Sequence, residues 1–129
     1  MNSALWVAQV VLMAAFVLAG VSHLQYERTK ERMDERTRQR LRWAEAVPPP
    51  LLTFIGICEI LGALGLILPA VTGVLPVLTP LAATGLGVIM LLAILFHAVR
   101  REFPLIAVNL VLLVLAAFVA YGRFVLAPL

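Results

Sequence analysis

Cysteine is nearly absent from this sequence, which has one thiol, Cys58, in 129 residues. A single cysteine excludes a disulfide framework and a CxxC dithiol. Charged residues are also few, at 13%. No glycine-rich phosphate loop and no spaced set of metal ligands is present, so a metal site is not predicted. Among the function classes considered, catalysis is therefore the one that the sequence supports least.

The sequence has long apolar runs instead. Hydrophobic residues make up 63% of the chain, and its mean hydropathy is +1.04. A soluble domain of this length could bury only a fraction of so much apolar surface, whereas four membrane spans account for it. We therefore predict an all-α integral membrane four-helix bundle in a single domain, 1–129. The predicted spans lie at about residues 4–24, 51–69, 78–98 and 103–124.

The basic residues are grouped. Seven of the ten lie in residues 25–46, two follow the third predicted span, and only Arg123 lies on the other side, where it is predicted to mark the exit of the fourth span from the membrane. The positive-inside rule then places the charged loop, residues 25–50, in the cytoplasm and both termini outside a cell membrane. The sequence pI of about 9.8 is thus attributed to topology, and no nucleic-acid partner is predicted.

The charged stretch itself, residues 26–46, is predicted to be an amphipathic helix lying on the lipid head groups. An apolar stripe recurs there at helical spacing, and Asp34 with Arg38 forms an i,i+4 pair. Trp43 would lie at the interface. The alternative is a solvated charged loop without a binding role. The stripe consists of Tyr26, Met33, Thr37, Leu41 and Ala44.

Glu59 is the one ionisable side chain in the second apolar run. An unpaired charge at bilayer depth costs at least ~2.5 kcal/mol, so such a residue normally faces the bundle interior and has a partner. Gly56, Gly62 and Ala63 lie three or four positions from it, on the same helical face. We therefore predict that Glu59 faces a closely packed helix interface, with Asn109 or an imidazole as its partner.

Three further polar side chains fall in the same half of the predicted bundle: His23, His97 and Asn109. Together with Glu59 they form a candidate ligand-binding cluster open toward the cytoplasm. The alternative is that they form hydrogen bonds that only stabilise helix packing. Haem ligation by the two histidines is disfavoured, because it needs facing rings. Cys58 points about 100° away from Glu59 along the helix and is interpreted as an apolar filler.

Several short motifs in this order resemble the DoxX and DoxX-like family of small four-helix membrane proteins. The resemblance covers nearly the whole chain, and its most characteristic part is G-x-x-E-x-x-G, present here as Gly56 to Gly62. It continues through His97 and Asn109. The other matching segments are Ala19-Gly20-Val21-Ser22-His23, Val47-Pro48-Pro49, Leu66-Ile67-Leu68-Pro69 and Thr79-Pro80-Leu81-Ala82-Ala83.

The resemblance implies a role near membrane redox chemistry, because some family members are associated with quinone-linked sulfur oxidation or with complexes that handle oxidative stress. The architecture also resembles sterol-binding four-helix proteins of the sigma-2 type. We therefore expect a protein that binds a quinone- or sterol-like lipophilic molecule, or one that scaffolds a redox complex with protein partners or further copies of itself. The alternatives are a proton-coupled exporter and a subunit of a quinone-linked oxidoreductase.

Overall fold

The computed structural model describes all residues, 1–129, and is 84% helical without strands. The all-α class is confirmed, and four helices are long and apolar enough to cross a membrane. The elements are α1 (Asn2–Thr29), α2 (Glu35–Arg40), a 3₁₀ helix (Arg42–Ala46), α3 (Pro49–Thr72), α4 (Leu78–Val99), α5 (Phe103–Tyr121) and a π-helical turn (Gly122–Leu126).

Two of the four spans have a proline in their first turn. α3 begins at Pro49 and α5 has Pro104 in its first turn, where the missing N–H costs no helical hydrogen bond. Each long helix contacts two others, in the ring order α1, α3, α4, α5. α3 and α5 therefore lie diagonally across the bundle, as do α1 and α4.

Few side chains are buried inside the bundle. Only 24 of the 129 residues are buried, and most large apolar side chains of the spans face outward. Such an exterior is stable only in lipid, which is why the chain folds as a multi-pass membrane protein. The main interior cluster draws on all four spans: Ala8, Leu12, Phe16, Ala63, Leu66, Ala83, Leu86, Met90, Ala116 and Val119.

Pro69 interrupts the hydrogen bonds of α3 near its end. A proline has no N–H, so the carbonyl of Gly65 has no helical donor. The Thr79 hydroxyl of α4 donates to that carbonyl over 3.2 Å, and Gln9 of α1 donates to the next one, Leu66, over 2.6 Å. Side chains of two other helices thus donate hydrogen bonds to the carbonyl groups of the disrupted turn, as burial of backbone polar groups in a membrane requires.

The charged stretch differs from the single helix predicted for residues 26–46. α1 continues to Thr29, a turn follows, and only Glu35–Arg40 and the 3₁₀ helix are helical beyond it. The reason is Asp34, whose side chain accepts a hydrogen bond from the Thr37 N–H and starts a new helix. Arg38 donates to the Lys30 carbonyl at the end of α1 and does not pair with Asp34.

The apolar residues of this stretch cover the start of α3. Tyr26, Ala44 and Leu52 form a small buried cluster with Met33, Leu41, Trp43 and Val47 packed around it. The charged stretch is therefore folded back against the bundle. We call the end of the bundle that carries it the charged end, and the end that carries Met1, Gly73 and Arg123 the opposite end.

The orientation of the protein in the membrane is a prediction. Cysteines placed at Arg36 and at Thr72, in a Cys58→Ala background, should react with an impermeant maleimide from opposite sides of the membrane, with Arg36→Cys on the cytoplasmic side. Both positions are exposed and lie at different ends of the bundle. Labelling of both from one side would contradict the assignment.

Candidate functional site

The contact between α1 and α3 brings His23 to Glu59. Gly20 and Gly56 face each other across this contact, and a Cβ atom on Gly20 would stand only 2.9 Å from the Gly56 carbonyl oxygen. Such close approach is typical of membrane helices that meet at small residues. His23 lies one helical turn from Gly20, and Glu59 lies one turn from Gly56. Both side chains therefore belong to the helix faces that meet at this contact.

His23 and Glu59 form a buried pair. The His23 Nδ1 atom is 2.5 Å from Glu59 Oε1, and the two side chains are 12% and 2% exposed. That separation is the length of a short hydrogen bond between an imidazole nitrogen and a carboxyl oxygen. The partner of Glu59 is therefore an imidazole, one of the two kinds of partner considered from the sequence. A paired carboxyl group of this kind can accept, donate or pass on a proton inside the membrane.

Trp43 packs against His23, the histidine of this pair. Its ring meets His23 edge to face at a centroid distance of 5.2 Å and meets His97 in the same way at 5.5 Å. Phe96 completes the cluster at 6.3 Å from Trp43. The two histidines, predicted from sequence as members of one site, thus both contact one indole ring that the 3₁₀ helix carries.

His97 has its own carboxylate partner, Glu102, with His97 Nδ1 3.0 Å from Glu102 Oε1. Arg100 donates to the same oxygen over 2.8 Å. The chain can turn back so sharply because Arg101 adopts a left-handed conformation, φ 57°. Burial opposes the charged form of Glu102, but hydrogen bonds from His97 and Arg100 outweigh it and lower the pKa of the carboxyl group from its usual 4.5.

This pKa predicts a pH dependence. Because the pKa is lower in the folded chain, ionised Glu102 stabilises the fold above about pH 4.5, and the stabilisation is lost as the pH falls below that value. Glu102→Gln should lower the melting temperature in detergent by about 2 °C near neutral pH and by less at about pH 3.

The matched control is Glu31→Gln, an exposed carboxyl group at the same end, which should match the wild type at both pH values. A deficit of Glu102→Gln that persisted undiminished in acid would show that the loss of charge is not its cause.

Asn109 does not reach Glu59. It lies on α5, diagonally across the bundle from α3, and its half-buried side chain makes no hydrogen bond within the protein. Of the two partners predicted for Glu59, Asn109 or an imidazole, the structure has the imidazole of His23. His97 likewise pairs with Glu102 and not with Glu59.

Two cavities lie near the site, but neither is lined by Glu59. One, of about 480 Å³, opens at the charged end between Tyr26, Lys30, Arg38 and Glu45. The other is a groove of about 290 Å³ between α3 and α4, lined by Cys58, Gly62 and Gly85 among others. Cys58 thus faces this apolar groove, away from the His23–Glu59 pair.

Sequence reasoning missed a second polar cluster, at the opposite end of the bundle. Arg123, predicted to mark the membrane exit, is only 3% exposed and donates to Gln9, which is fully buried. Helical spacing could have indicated it, because Ala116, Val119 and Arg123 recur at i, i+3 and i+7 on the inner face of the fourth span.

The fold and these contacts define a class: a small multi-pass membrane protein with four spans and a carboxyl group buried in the bundle. Residues 7–119 match the family described as the DoxX-like family, and the chain belongs to it. This confirms the resemblance drawn from the motifs. No curated protein and no solved structure gives a significant match.

Proposed function

We propose that this DoxX-like protein binds a lipophilic molecule with a carbonyl head group, of the quinone class, at the His23–Glu59 pair. The observation that carries the proposal is the buried contact between His23 Nδ1 and Glu59 Oε1, 2.5 Å apart. A quinone carbonyl is an acceptor without a proton of its own, so it binds where a donor is buried away from water.

The surroundings of the pair support this ligand class. Trp43 gives an aromatic edge beside His23 against which a flat ring can pack. The outward-facing apolar side chains of the spans provide a path for a hydrocarbon tail from the bilayer.

A bound ligand would need room that the described cavities do not provide beside Glu59. The 3₁₀ helix that carries Trp43 is the element whose displacement would open the pair to a ligand, because it lies outside the spans and contacts both histidines. We therefore infer that binding moves Trp43, and this makes the indole a direct probe of the site.

The experiment uses the Trp6→Phe variant, in which Trp43 is the only tryptophan of the two in the chain. The protein in phosphatidylcholine vesicles is titrated with a short-chain benzoquinone while Trp43 emission is recorded. The control ligand is an alkylbenzene with the same tail and no carbonyl. We expect saturable quenching by the quinone alone. Linear quenching by the quinone, as for mere partition into lipid, would contradict the proposal.

A further inference from the structure

Arg123 uses three of its five guanidinium hydrogens within the protein. Nε donates to Gln9 Oε1 over 2.7 Å, and Nη1 donates to Asn2 Oδ1 over 2.6 Å and to the Ala127 carbonyl over 3.1 Å. Both remaining N–H groups belong to Nη2, which is buried and has no partner. An unpaired buried donor is costly, so this nitrogen is a place where an acceptor would bind favourably.

The charge of Arg123 is also uncompensated. Its three acceptors are neutral amide and carbonyl oxygens, and no carboxylate forms an ion pair with it. Apart from Glu59, every acidic residue lies at the charged end of the bundle. A guanidinium buried among spans without a counter-ion is unfavourable, and a bound anion would remove that cost.

The rest of the cluster holds the guanidinium in place while leaving Nη2 free. The Trp6 ring covers one face, with the Arg123 Cζ atom 5.4 Å from the ring centroid. Gln9 is itself fixed, because its Nε2 donates to the Leu66 carbonyl. The bond to Ala127 is the longest of the three, so an anion could displace this neutral carbonyl and take Nη1 and Nη2 together as a forked pair.

We propose that Arg123 is an anion-binding site that takes a phosphate or carboxylate group at the opposite end of the bundle, separate from the His23–Glu59 pair. The chemistry is charge-assisted hydrogen bonding from Nη2 and Nη1 to an anionic oxygen. Arg123 lies in the last turn of the fourth span, where the phosphates of one lipid leaflet lie. The anion could be that lipid phosphate or a small anion from solution, and the test separates the two.

The test uses Trp43→Phe, which leaves Trp6 as the only reporter, beside Arg123. Delipidated protein in a neutral detergent is titrated with dioleoyl phosphatidylglycerol, with diolein, which has the same chains and no phosphate, and with sodium phosphate at constant ionic strength. We expect phosphatidylglycerol to change Trp6 emission and raise the melting temperature in a saturable way, and diolein to do neither. An equal, saturable response to sodium phosphate would assign the site to a soluble anion.

Variants tie the response to the guanidinium. Arg123→Gln should weaken anion binding about 10- to 100-fold, Arg123→Lys should weaken it less, and exposed Arg36→Gln should leave it unchanged. If neither Arg123 variant folds, the Trp6 titration of the parent protein decides alone. No saturable response to phosphatidylglycerol or phosphate, or the same response in Arg123→Gln, would overturn the proposal.

Discussion

Glu59→Ala should weaken benzoquinone binding about 10- to 100-fold, whereas Glu59→Gln should stay within about fivefold of the wild type. The glutamine amide keeps the size of the side chain and a hydrogen-bond donor, and it can still bond to His23. Alanine removes the donor and leaves His23 without its 2.5 Å partner. The measurement is the Trp43 titration in the Trp6→Phe background.

The control for this pair is Glu31→Ala, an exposed carboxyl group outside the spans, which should bind like the wild type. Each variant is first checked for helical content and a single elution peak. Equal loss in Glu59→Gln and Glu59→Ala, together with loss of proton-driven efflux from vesicles, would favour the exporter. Undiminished binding by Glu59→Ala would show that the His23–Glu59 contact has only a structural role.

Gly20→Val should destabilise the protein by about 3 kcal/mol and separate His23 from Glu59. A Cβ atom at this position lies 2.6 Å from Ile60 Cγ1 and 2.9 Å from the carbonyl oxygen of Gly56. The Ile60 side chain can rotate away, but the carbonyl belongs to the backbone of α3, so the two helices must move apart. The measurement is the melting temperature in detergent together with quinone binding.

The matched control is Gly85→Val in α4, where a Cβ atom would meet nothing within 4 Å. It introduces the same β-branched residue into a membrane helix, and its effect should stay within about 0.5 kcal/mol. If the two valine variants lost stability equally, helix propensity and not the approach of α1 to α3 would be the cause.

The sequence was sufficient to predict four apolar helices and to limit the candidate partners of Glu59 to a few polar side chains. Apolar length predicts a membrane helix directly, and a carboxyl group at that depth needs a partner, which leaves few candidates in a chain with two histidines. The choice of His23 over Asn109 could not be predicted, because it depends on which spans are neighbours. Hydropathy does not distinguish adjacent helices from diagonal ones.

The structure of the charged stretch and the burial of Arg123 could not be predicted from the sequence, for different reasons. Helical spacing over residues 26–46 was real, but the local bond from Thr37 to Asp34 restarted the helix and overrode it. Arg123 was assigned to the interface because basic residues commonly end spans there. Its burial depends on Gln9 and Asn2, more than 110 positions away in sequence.

The hydrogen bonds from Thr79 and Gln9 to the turn before Pro69 bear on whether the protein could act as an alternating-access transporter. A pump must open alternately toward both sides, and a proline in a span is often the place where it bends. Here bending α3 at Pro69 would break the bonds from Thr79 and Gln9 where no water can replace them. These bonds hold α3 to α1 and α4 near the opposite end, whereas at the charged end the element that carries Trp43 lies outside the spans. If the proposed ligand binds at the His23–Glu59 pair, it should therefore enter and leave at the charged end.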